Sequence, residues 1–286
     1  MIRRLVLGML AATVGCTSGP PAVVVGSKNF TEQRILGELL AQTIERAGMR
    51  AERKLDLGGT LVCDTALRAG AIDVYVEYTG TALTAILHEA PASDAATVRA
   101  RVAAAYEPAE LVWLPPLGFD NTFALVVRPE ARVQTISAAV APASGWQAAF
   151  GYEFQSRPDG APLLANVYGL HFAGVRTMDL GLLYQAISER QVDLVVGSAT
   201  DAAIERLGLV VLADDRHAFP PYEAAPVARQ AALARHAGLE PALRSLAGTI
   251  DAATMRRLNA AVDGARRPPP EVVTEWLRTR PTAEAR

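Results

Sequence analysis

Residues 66–78, with the sequence ALRAGAIDVYVEY, read as the end of a helix, a tight turn, an aspartate and a buried strand. Residues 186–198, AISERQVDLVVGS, follow the same order, and each stretch continues into a new helix, near Thr79 and Thr200. Any helix–turn–strand unit of an α/β protein can have this pattern, so one copy alone would say little. Two copies far apart in one chain indicate two similar α/β lobes.

Short apolar runs alternate with helical patterns on both sides of these stretches. Residues 23–25 read as a buried strand, and apolar residues then recur at helical spacing from 31 to 47. Further strands are predicted at 51–57, 72–76, 148–151, 175–178, 194–196 and 209–212, and further helices at 61–69 and 79–88. This alternation is typical of sheets with parallel strands.

The order of these elements predicts two lobes joined by two crossings, with a ligand cleft between them. The second lobe begins with the apolar run after Thr122, and the sequence FPPYE at 219–223 reads as a rigid return crossing. Helices predicted at 228–236, 240–246, 251–262 and 270–277 then pack back on the first lobe. We therefore assign residues 23–122 and 225–286 to lobe 1 and residues 123–224 to lobe 2.

The N-terminus has the order of a secretory signal. Arg3 and Arg4 precede an apolar stretch at 5–14, which is followed by Gly15 and Cys16. This stretch is shorter than the roughly 20 residues that a membrane-spanning helix needs. We predict a signal peptide at 1–16, a short tether at 17–22 and an exported protein. A small residue before Cys16 resembles a bacterial lipobox, which implies lipidation of Cys16; ordinary cleavage is the alternative.

Composition and motifs favour a binding protein without catalysis. The formal net charge of −2 gives no field that would attract nucleic acid. The histidines at 88, 171, 217 and 236 have no metal-ligand spacing, and no nucleophile-elbow, phosphate-loop or C-x-x-C motif is present. We therefore expect no catalytic residue, no metal and no cofactor. Cys63 reads as a small buried side chain rather than a reactive thiol.

Polar residues follow several predicted strands, where ligands bind in open α/β sheets. Lys28 and Asn29 follow the first predicted strand, and Thr60 follows the second. Ser198 follows the strand at 194–196, which is the counterpart in the second lobe of the strand at 72–76. Several of these loops open helices, whose free N–H groups attract anions. Lys28, Thr60 and backbone N–H groups could hold a ligand carboxylate; the alternative is that each Ser or Thr only caps its helix.

Two tyrosines stand where regular core packing is not expected. Tyr78 lies at the end of a predicted strand, and Tyr222 lies in the proline-rich crossing. Aromatic faces suit a quaternary ammonium group, because this cation has no N–H to donate and is attracted by ring quadrupoles. The alternative is that both rings serve as wall or hinge packing.

A run of motifs then resembles one family. The stretch GSKNFTEQ at 26–33 resembles the opening of the OpuAC-like substrate-binding proteins for glycine betaine, carnitine and choline. Further matches follow in family order, at 57–60 (LGGT), 70–81 (GAIDVYVEYTGT), 118–122 (GFDNT), 219–222 (FPPY) and 250–255 (IDAATM). The resemblance implies a two-lobed, type II-like periplasmic-binding fold that closes on its ligand. It also implies an ABC permease and an ATPase as partners, and a location outside the cytoplasmic membrane.

The family holds a trimethylammonium head in a cage of tyrosines. By resemblance, Tyr78 and Tyr222 are two of them, and the third position falls at Ser198, which carries no ring. The fourth falls at 152–154, where Tyr152 or Phe154 could supply it.

Lys28, Thr60 and Asn121 match family positions near the carboxylate side of the ligand. The incomplete cage leaves the ligand open among glycine betaine, choline, carnitine and another trimethylammonium betaine such as ergothioneine. A ligand-sensing receptor subunit and an envelope enzyme on the same fold are the rival readings. A monomer is expected.

Overall fold

The computed structural model describes residues 21–279. The predicted signal peptide, Cys16 and most of the tether lie outside the described residues. The described strands form two five-stranded mixed sheets, and each sheet is the centre of one lobe. The predicted two-lobed α/β fold is confirmed. Within residues 21–279, no helix combines the length and the hydropathy that crossing a membrane would require.

The sheet of lobe 1 has the order β2-β1-β3-β10-β4 and the sheet of lobe 2 the order β7-β6-β8-β5-β9. The strands of lobe 1 are β1 (Val23–Gly26), β2 (Ala51–Lys54), β3 (Val74–Tyr78), β4 (Leu111–Trp113) and β10 (Ala224–Arg229). Those of lobe 2 are β5 (Phe123–Val127), β6 (Gln147–Phe150), β7 (Gly174–Thr177), β8 (Leu194–Ser198) and β9 (Val210–Val211). The division of the chain at 122/123 and 224/225 stays our prediction.

Helices cover both sheets. They are α1 (Thr31–Arg46), α2 (Thr60–Arg68), α3 (Thr79–Thr81), α4 (Ala95–Tyr106), α5 (Ile136–Ala143), α6 (Tyr152–Ser156), α7 (Ala161–Tyr168), α8 (Leu180–Ser188), α9 (Ala202–Arg206), α10 (Gln230–Arg235), α11 (Leu239–Arg244), α12 (Ala252–Asn259) and α13 (Pro269–Thr279). A π-helical turn, Ala82–Ile86, continues α3, and another, Ala260–Gly264, continues α12. Helices α11, α12 and α13 pack against α1, as the predicted return of the C-terminal helices to lobe 1 requires.

The predicted pseudo-repeat is a structural repeat. Asp73 donates its N–H to the Val24 carbonyl and accepts the Val24 N–H at its carboxylate, 2.9 Å away. Asp193 makes the same reciprocal pair with Gln147, also at 2.9 Å. The two strands that follow, β3 and β8, occupy the middle of their sheets. The shared aspartate therefore ties the turn before each middle strand to the start of a neighbouring parallel strand.

The expectation of parallel strands is wrong for one strand in each lobe, which forms two antiparallel pairings. β5 runs antiparallel to both β8 and β9, and β10 runs antiparallel to both β3 and β4. The sequence pattern placed a helix start at 228, but Ala228 and Arg229 belong to β10. The physical reason is its composition: β10 is rich in alanine and contains Pro226, and proline ordinarily argues against a central strand.

The helical face predicted in α1 forms part of the core. Ile35, Leu36, Leu39, Leu40 and Ile44 are all buried, which stabilises the fold by about 1.5–3 kcal/mol for each large side chain. Cys63 of α2 is also buried and makes no disulfide, which confirms its prediction as a packed side chain. Burial raises the pKa of its thiol to about 12, so the thiolate that would react is disfavoured.

Candidate functional site

The two lobes meet where β3 and β8 end and where the chain crosses between them. Tyr78 ends β3, Ser198 ends β8, and the crossings pass through Asn121 and Tyr222. Side chains from both lobes touch each other here in the closed cleft, the region we call the interlobe site. Several of these side chains are polar and buried, which is costly unless each finds a partner.

Tyr78 lies on the lobe 1 wall of this site. Its side chain is buried, and its hydroxyl donates to Oε1 of Glu32 at 2.6 Å. The Nζ atom of Lys28 stands over its ring, 5.0 Å from the centroid. Burial, and then the neighbouring Glu32 carboxyl, raise the pKa of the Tyr78 hydroxyl well above its ordinary value. The hydroxyl therefore stays protonated and acts as a donor.

Our division of the chain counts Tyr222, in the return crossing, with lobe 2, but its ring lies on the lobe 1 wall beside Tyr78, because residues 78 and 224 are paired in the β3–β10 ladder. Its hydroxyl donates to Oδ2 of Asp159 at 2.7 Å, and its N–H donates to Asp120. The ring packs directly on Gly80, where an added Cβ would lie 2.8 Å from Cδ1 of Tyr222. A glycine at 80 is therefore what lets the ring lie against the backbone of lobe 1.

Phe123, the first residue of β5, joins Tyr222 to the rings of lobe 2. Its ring centroid lies 4.7 Å from Phe154, 5.4 Å from Tyr222 and 5.8 Å from Phe219. The guanidinium carbon of Arg157 stands 5.1 Å from its centroid. Sequence reasoning missed Phe123, although an aromatic residue directly after the GFDNT stretch, at the start of a crossing, was a usable signal.

The predicted cage positions in lobe 2 have different surroundings. Phe154 is buried among rings, whereas Tyr152 is 62% exposed. Ser198 pairs with Phe123 in the β5–β8 ladder, and its N–H donates to Asp201 at 2.8 Å. Ser198 cannot supply a ring to the site, but its ladder partner Phe123 supplies one at the neighbouring position.

Lys28 and Thr60 come together as predicted, but both are already engaged by carboxylates of the chain. Lys28 Nζ donates to Oε1 of Glu77 at 2.5 Å and to Oγ1 of Thr60 at 3.0 Å. Thr60 donates its N–H to Oε1 of Glu153 at 2.8 Å and its hydroxyl to Oε2 at 3.3 Å. Glu153 belongs to lobe 2, so this contact crosses the cleft. Burial raises the pKa of Glu77, and the charge of Lys28 opposes that rise.

Asn121 is part of the site and Asn29 is not. Asn121 is buried, donates to Glu32 at 2.7 Å and accepts from the Thr200 hydroxyl at 2.9 Å. Asn29 is exposed, and its N–H donates to the Gly58 carbonyl. Asn29 thus ties the loop after β1 to the loop before α2 instead of facing the cleft.

Glu32 has a buried carboxyl group. It lies in the GSKNFTEQ stretch, but the sequence analysis assigned it no role in the site. It accepts hydrogen bonds from Tyr78, Asn121, Asn259 and Thr200. Thr200 comes from lobe 2, so Glu32 also links the lobes. Burial raises the pKa of Glu32, while the hydrogen bonds from Thr200, Tyr78 and Asn259 counteract that rise.

Arg157 and Asp159 form a buried ion pair that was also missed. Arg157 donates to both oxygens of Asp159, at 2.8 Å and 2.5 Å, and to Oγ1 of Thr81 in lobe 1. Asp159 further accepts from Thr84 of lobe 1 at 2.6 Å. Although burial opposes it, the bonds from Arg157 keep the pKa of Asp159 below its ordinary value. The pair therefore stays charged and anchors lobe 2 to lobe 1.

The arrangement suits the binding of a cation. Two side-chain cations of the chain, Lys28 and Arg157, already stand over aromatic faces of the site. Four carboxyl groups surround them, those of Glu32, Glu77, Glu153 and Asp159. Among residues 21–279, no group of three or more His, Cys, Asp or Glu side chains is placed to hold a metal ion.

Known proteins with the same sequence pattern are transport proteins. A family model described as the substrate-binding domain of an ABC-type glycine betaine transport system matches residues 21–279. A glycine-betaine-binding protein of Pseudomonas aeruginosa is 36% identical over 97% of this chain and 94% of its own length. The ergothioneine transport permease/ergothioneine binding protein EgtU of Helicobacter pylori is 30% identical over 89% of this chain and 47% of its own length.

A solved structure has the same architecture. The crystal structure described as a glycine betaine/carnitine/choline ABC transporter shares 29% identity with this chain at a TM-score of 0.75. The match covers 90% of this chain and 97% of that one. Both lobes therefore have counterparts in a single known protein.

Proposed function

The chain belongs to the family of substrate-binding domains of ABC-type glycine betaine transport systems, and we propose that it captures a quaternary-ammonium compound and delivers it to an ABC importer. The ligands named for its relatives, which include glycine betaine, carnitine, choline and ergothioneine, share a trimethylammonium head. The fold, two lobes closing over one site, suits capture and release without a chemical step.

One observation carries the proposal: the rings of the interlobe site already hold cations. Lys28 stands over Tyr78 and Arg157 stands over Phe123, at 5.0 and 5.1 Å from the ring centroids. A quaternary ammonium group needs such faces, because it is attracted by ring quadrupoles and cannot form N–H hydrogen bonds. The rings lie on both sides of the cleft, with Tyr78 and Tyr222 on the lobe 1 wall and Phe123, which contacts Tyr222, next to Phe154 of lobe 2. Opening of the cleft would expose them, and closure would bury the ligand's charge.

A screen of the purified protein tests this function. Choline, glycine betaine, carnitine, proline betaine and ergothioneine are each added in a thermal-unfolding experiment and then in calorimetry. A compound that binds only the folded protein raises its Tm. We expect a rise with at least one of them. The matched control is the neutral carbon isostere of choline, in which a tert-butyl group replaces the trimethylammonium group.

The control decides what the site recognises. The isostere has the shape of choline but no charge, so it should leave Tm unchanged if rings bind the cation. An equal rise with the isostere would show a merely apolar pocket, and no rise with any of the five compounds would reject the proposed function.

Glycine betaine and choline type ligands are favoured over ergothioneine for this chain. The glycine-betaine-binding relative is 36% identical to this chain, whereas the relative named for ergothioneine is 30% identical. A ligand-sensing receptor subunit is the other alternative. The genes next to this one decide it, since a permease and an ATPase indicate import and a kinase or a chemoreceptor indicates sensing.

Export and lipid anchoring belong to the same proposal. The signal-like order at 1–16 supports placement outside the cytoplasmic membrane, and Cys16 is the residue that an acyl chain would modify. Metabolic labelling with a fatty acid tests this in cells that express the wild type and Cys16→Ser. Label on the wild type alone supports the anchor, and an unlabelled wild type rejects it.

A further inference from the structure

Glu153 of lobe 2 occupies the start of helix α2 in lobe 1. Its Oε1 accepts the Thr60 N–H at 2.8 Å, and its Oε2 accepts the Thr60 hydroxyl at 3.3 Å. The first N–H groups of a helix have no partner within the helix and attract negative charge. Gly59, the N-cap residue, has no side chain that could cap α2. The carboxylate of another lobe therefore supplies the missing acceptor.

The backbone of lobe 1 is shaped for this carboxylate. A Cβ added at Gly59 would lie 2.1 Å from Oε1 of Glu153, so any larger residue at 59 would make the Glu153 carboxylate shift from this position. Thr60 also accepts from Lys28, which places Glu153 at the end of a chain of hydrogen bonds that begins at Glu77. Residue Glu153 is itself exposed, but Thr60 is buried, so the contact joins the surface of the cleft to the buried Lys28–Glu77 pair.

A ligand with a carboxylate would need the same donors. Lys28 and Thr60 are the residues predicted to bind that carboxylate, yet Glu77 and Glu153 already use them. Arg157, the other cation that we place in the interlobe site, is paired with Asp159. A carboxylated ligand must therefore displace Glu153 and bring its own negative charge close to the carboxyl groups of the chain.

We propose that Glu153 is a specificity-determining residue, which makes the interlobe site favour a quaternary ammonium without a carboxylate, such as choline, over glycine betaine. The inference rests on the proposed function, because it concerns which member of that ligand class is bound. Choline leaves the Glu153–Thr60 contact in place. Glycine betaine has to break this contact, and like charges close together are unfavourable.

Two variants distinguish the effect of occupying the Thr60 N–H from the effect of the negative charge on Glu153. Glu153→Ala removes the carboxylate and frees the Thr60 N–H, whereas Glu153→Gln removes the charge but keeps an oxygen that can accept from Thr60. Calorimetry gives the Kd values for choline and glycine betaine with each protein. We expect the wild type to prefer choline, and Glu153→Ala to change the ratio of the two Kd values by about tenfold or more towards glycine betaine.

The intermediate variant and a charge control complete the test. Glu153→Gln should shift the ratio less than Glu153→Ala, because its side chain still occupies the donor. Glu205→Gln removes an exposed charge from α9 in the same lobe and should leave the ratio unchanged. A wild type that prefers glycine betaine, an unchanged ratio in Glu153→Ala, or an equal shift in all three variants overturns the role of Glu153.

Hydrogen exchange of the Thr60 amide, followed by NMR without ligand, distinguishes this inference from the proposed function. Glu153→Ala should speed that exchange, and Glu205→Gln should not. Unchanged exchange in Glu153→Ala overturns the role of Glu153 whatever the protein binds. Faster exchange in a protein that binds none of the five screened compounds overturns the proposed function, and with it the ligand preference, while the contact itself stands.

Discussion

Phe123 is the residue at which rings from the two lobes meet. It contacts Phe154 and Phe219 on one side and Tyr222 on the other, with Arg157 over its face. A leucine at this position keeps most of the apolar volume but has no quadrupole to hold a cation. We therefore expect Phe123 to contribute to cation binding mainly through the quadrupole of its ring and less through its apolar volume.

Phe123→Leu should weaken choline binding by about tenfold, since a desolvated cation–ring contact is worth up to about 2 kcal/mol. Phe150→Leu is the matched control, because Phe150 stacks on Phe154 and Phe172 and bears no cation. Both changes should lower stability by a similar small amount. Calorimetry measures the affinity, and equal losses of affinity in both variants would mean that the ring face has no special role.

Asp201 is a half-buried acid whose titration should affect stability. It accepts from the Ser198 N–H and the Tyr184 hydroxyl through the same oxygen, Oδ2. Burial raises its pKa to about 6. A raised folded-state pKa means that the folded protein holds the proton more tightly than the unfolded chain does. The stabilisation is complete below the ordinary pKa near 4 and is lost as pH rises to about 6.

Asp201→Asn should remove this pH dependence, because its amide oxygen can accept both hydrogen bonds and carries no charge. Relative to wild type, we expect the free energy of unfolding of the variant to rise by about 1–3 kcal/mol between pH 4 and pH 7. Urea unfolding at several pH values measures it. Glu205→Gln, an exposed change, should follow the wild-type curve, and a variant difference that does not change with pH would contradict the assignment.

At the scale of elements, the sequence pattern predicted strands and helices whose signals are local. The helical face of α1 and the repeat around Asp73 and Asp193 were found because apolar spacing and a turn residue are enough to specify them. β10 was not found, because Pro226 and its alanines give no strand signal. Its place is set by the ladders on either side, with β3 and β4, which come from distant parts of the chain.

The short helix α3 positions Tyr222 through a glycine. An added Cβ at Gly80 would lie 2.7 Å from the Pro221 carbonyl and 2.8 Å from the ring of Tyr222. Gly80→Ala should therefore push the ring out of place, lower stability by about 1–3 kcal/mol and weaken choline binding. Gly181→Ala in α8 meets nothing within 4 Å and should instead stabilise the protein by about 0.5–1 kcal/mol.

Urea unfolding and calorimetry on both glycine variants check this pair. Loss of affinity without loss of stability in Gly80→Ala would still fit a displaced ring. Unchanged affinity together with unchanged stability would show that lobe 1 adapts freely and that Gly80 does not fix the ring.

At the scale of the whole molecule, the candidate site was predictable in part. Tyr78, Tyr222, Lys28, Thr60 and Asn121 were found through motifs, and all of them lie at the lobe boundary. Their partners Glu32, Phe123, Glu153 and Asp159 were missed as site residues, because each partnership joins residues that are distant in sequence. The Glu153–Thr60 contact forms only where the two lobes meet, and the Glu32 contacts depend on how distant segments of lobe 1 fold together, so no local sequence pattern indicates either.

Closure depends on a few hydrogen bonds between buried groups of the two lobes. Asp159 of lobe 2 accepts from Thr84 and Tyr222, and Glu32 of lobe 1 accepts from Thr200. A hydrogen bond to a charged group is worth about 1.5–3 kcal/mol, so losing one should change the ratio of closed to open protein by about tenfold or more. The resting conformation is thus set by the same side chains that line the ligand site.

Thr84→Val tests this dependence, because it removes one hydroxyl from Asp159 and keeps the shape of the side chain. Thr43→Val is its control in lobe 1: the Thr43 hydroxyl is buried in α1 without a hydrogen-bond partner, so its loss should not change the lobe distance. Spin labels on exposed residues of the outer strands, at Glu52 of β2 and Arg176 of β7, report that distance without ligand. We expect a larger open fraction in Thr84→Val and the wild-type distribution in Thr43→Val. If both variants keep the wild-type distribution, the Thr84–Asp159 bond does not hold the lobes together, and closure must come from the aromatic contacts around Phe123 instead.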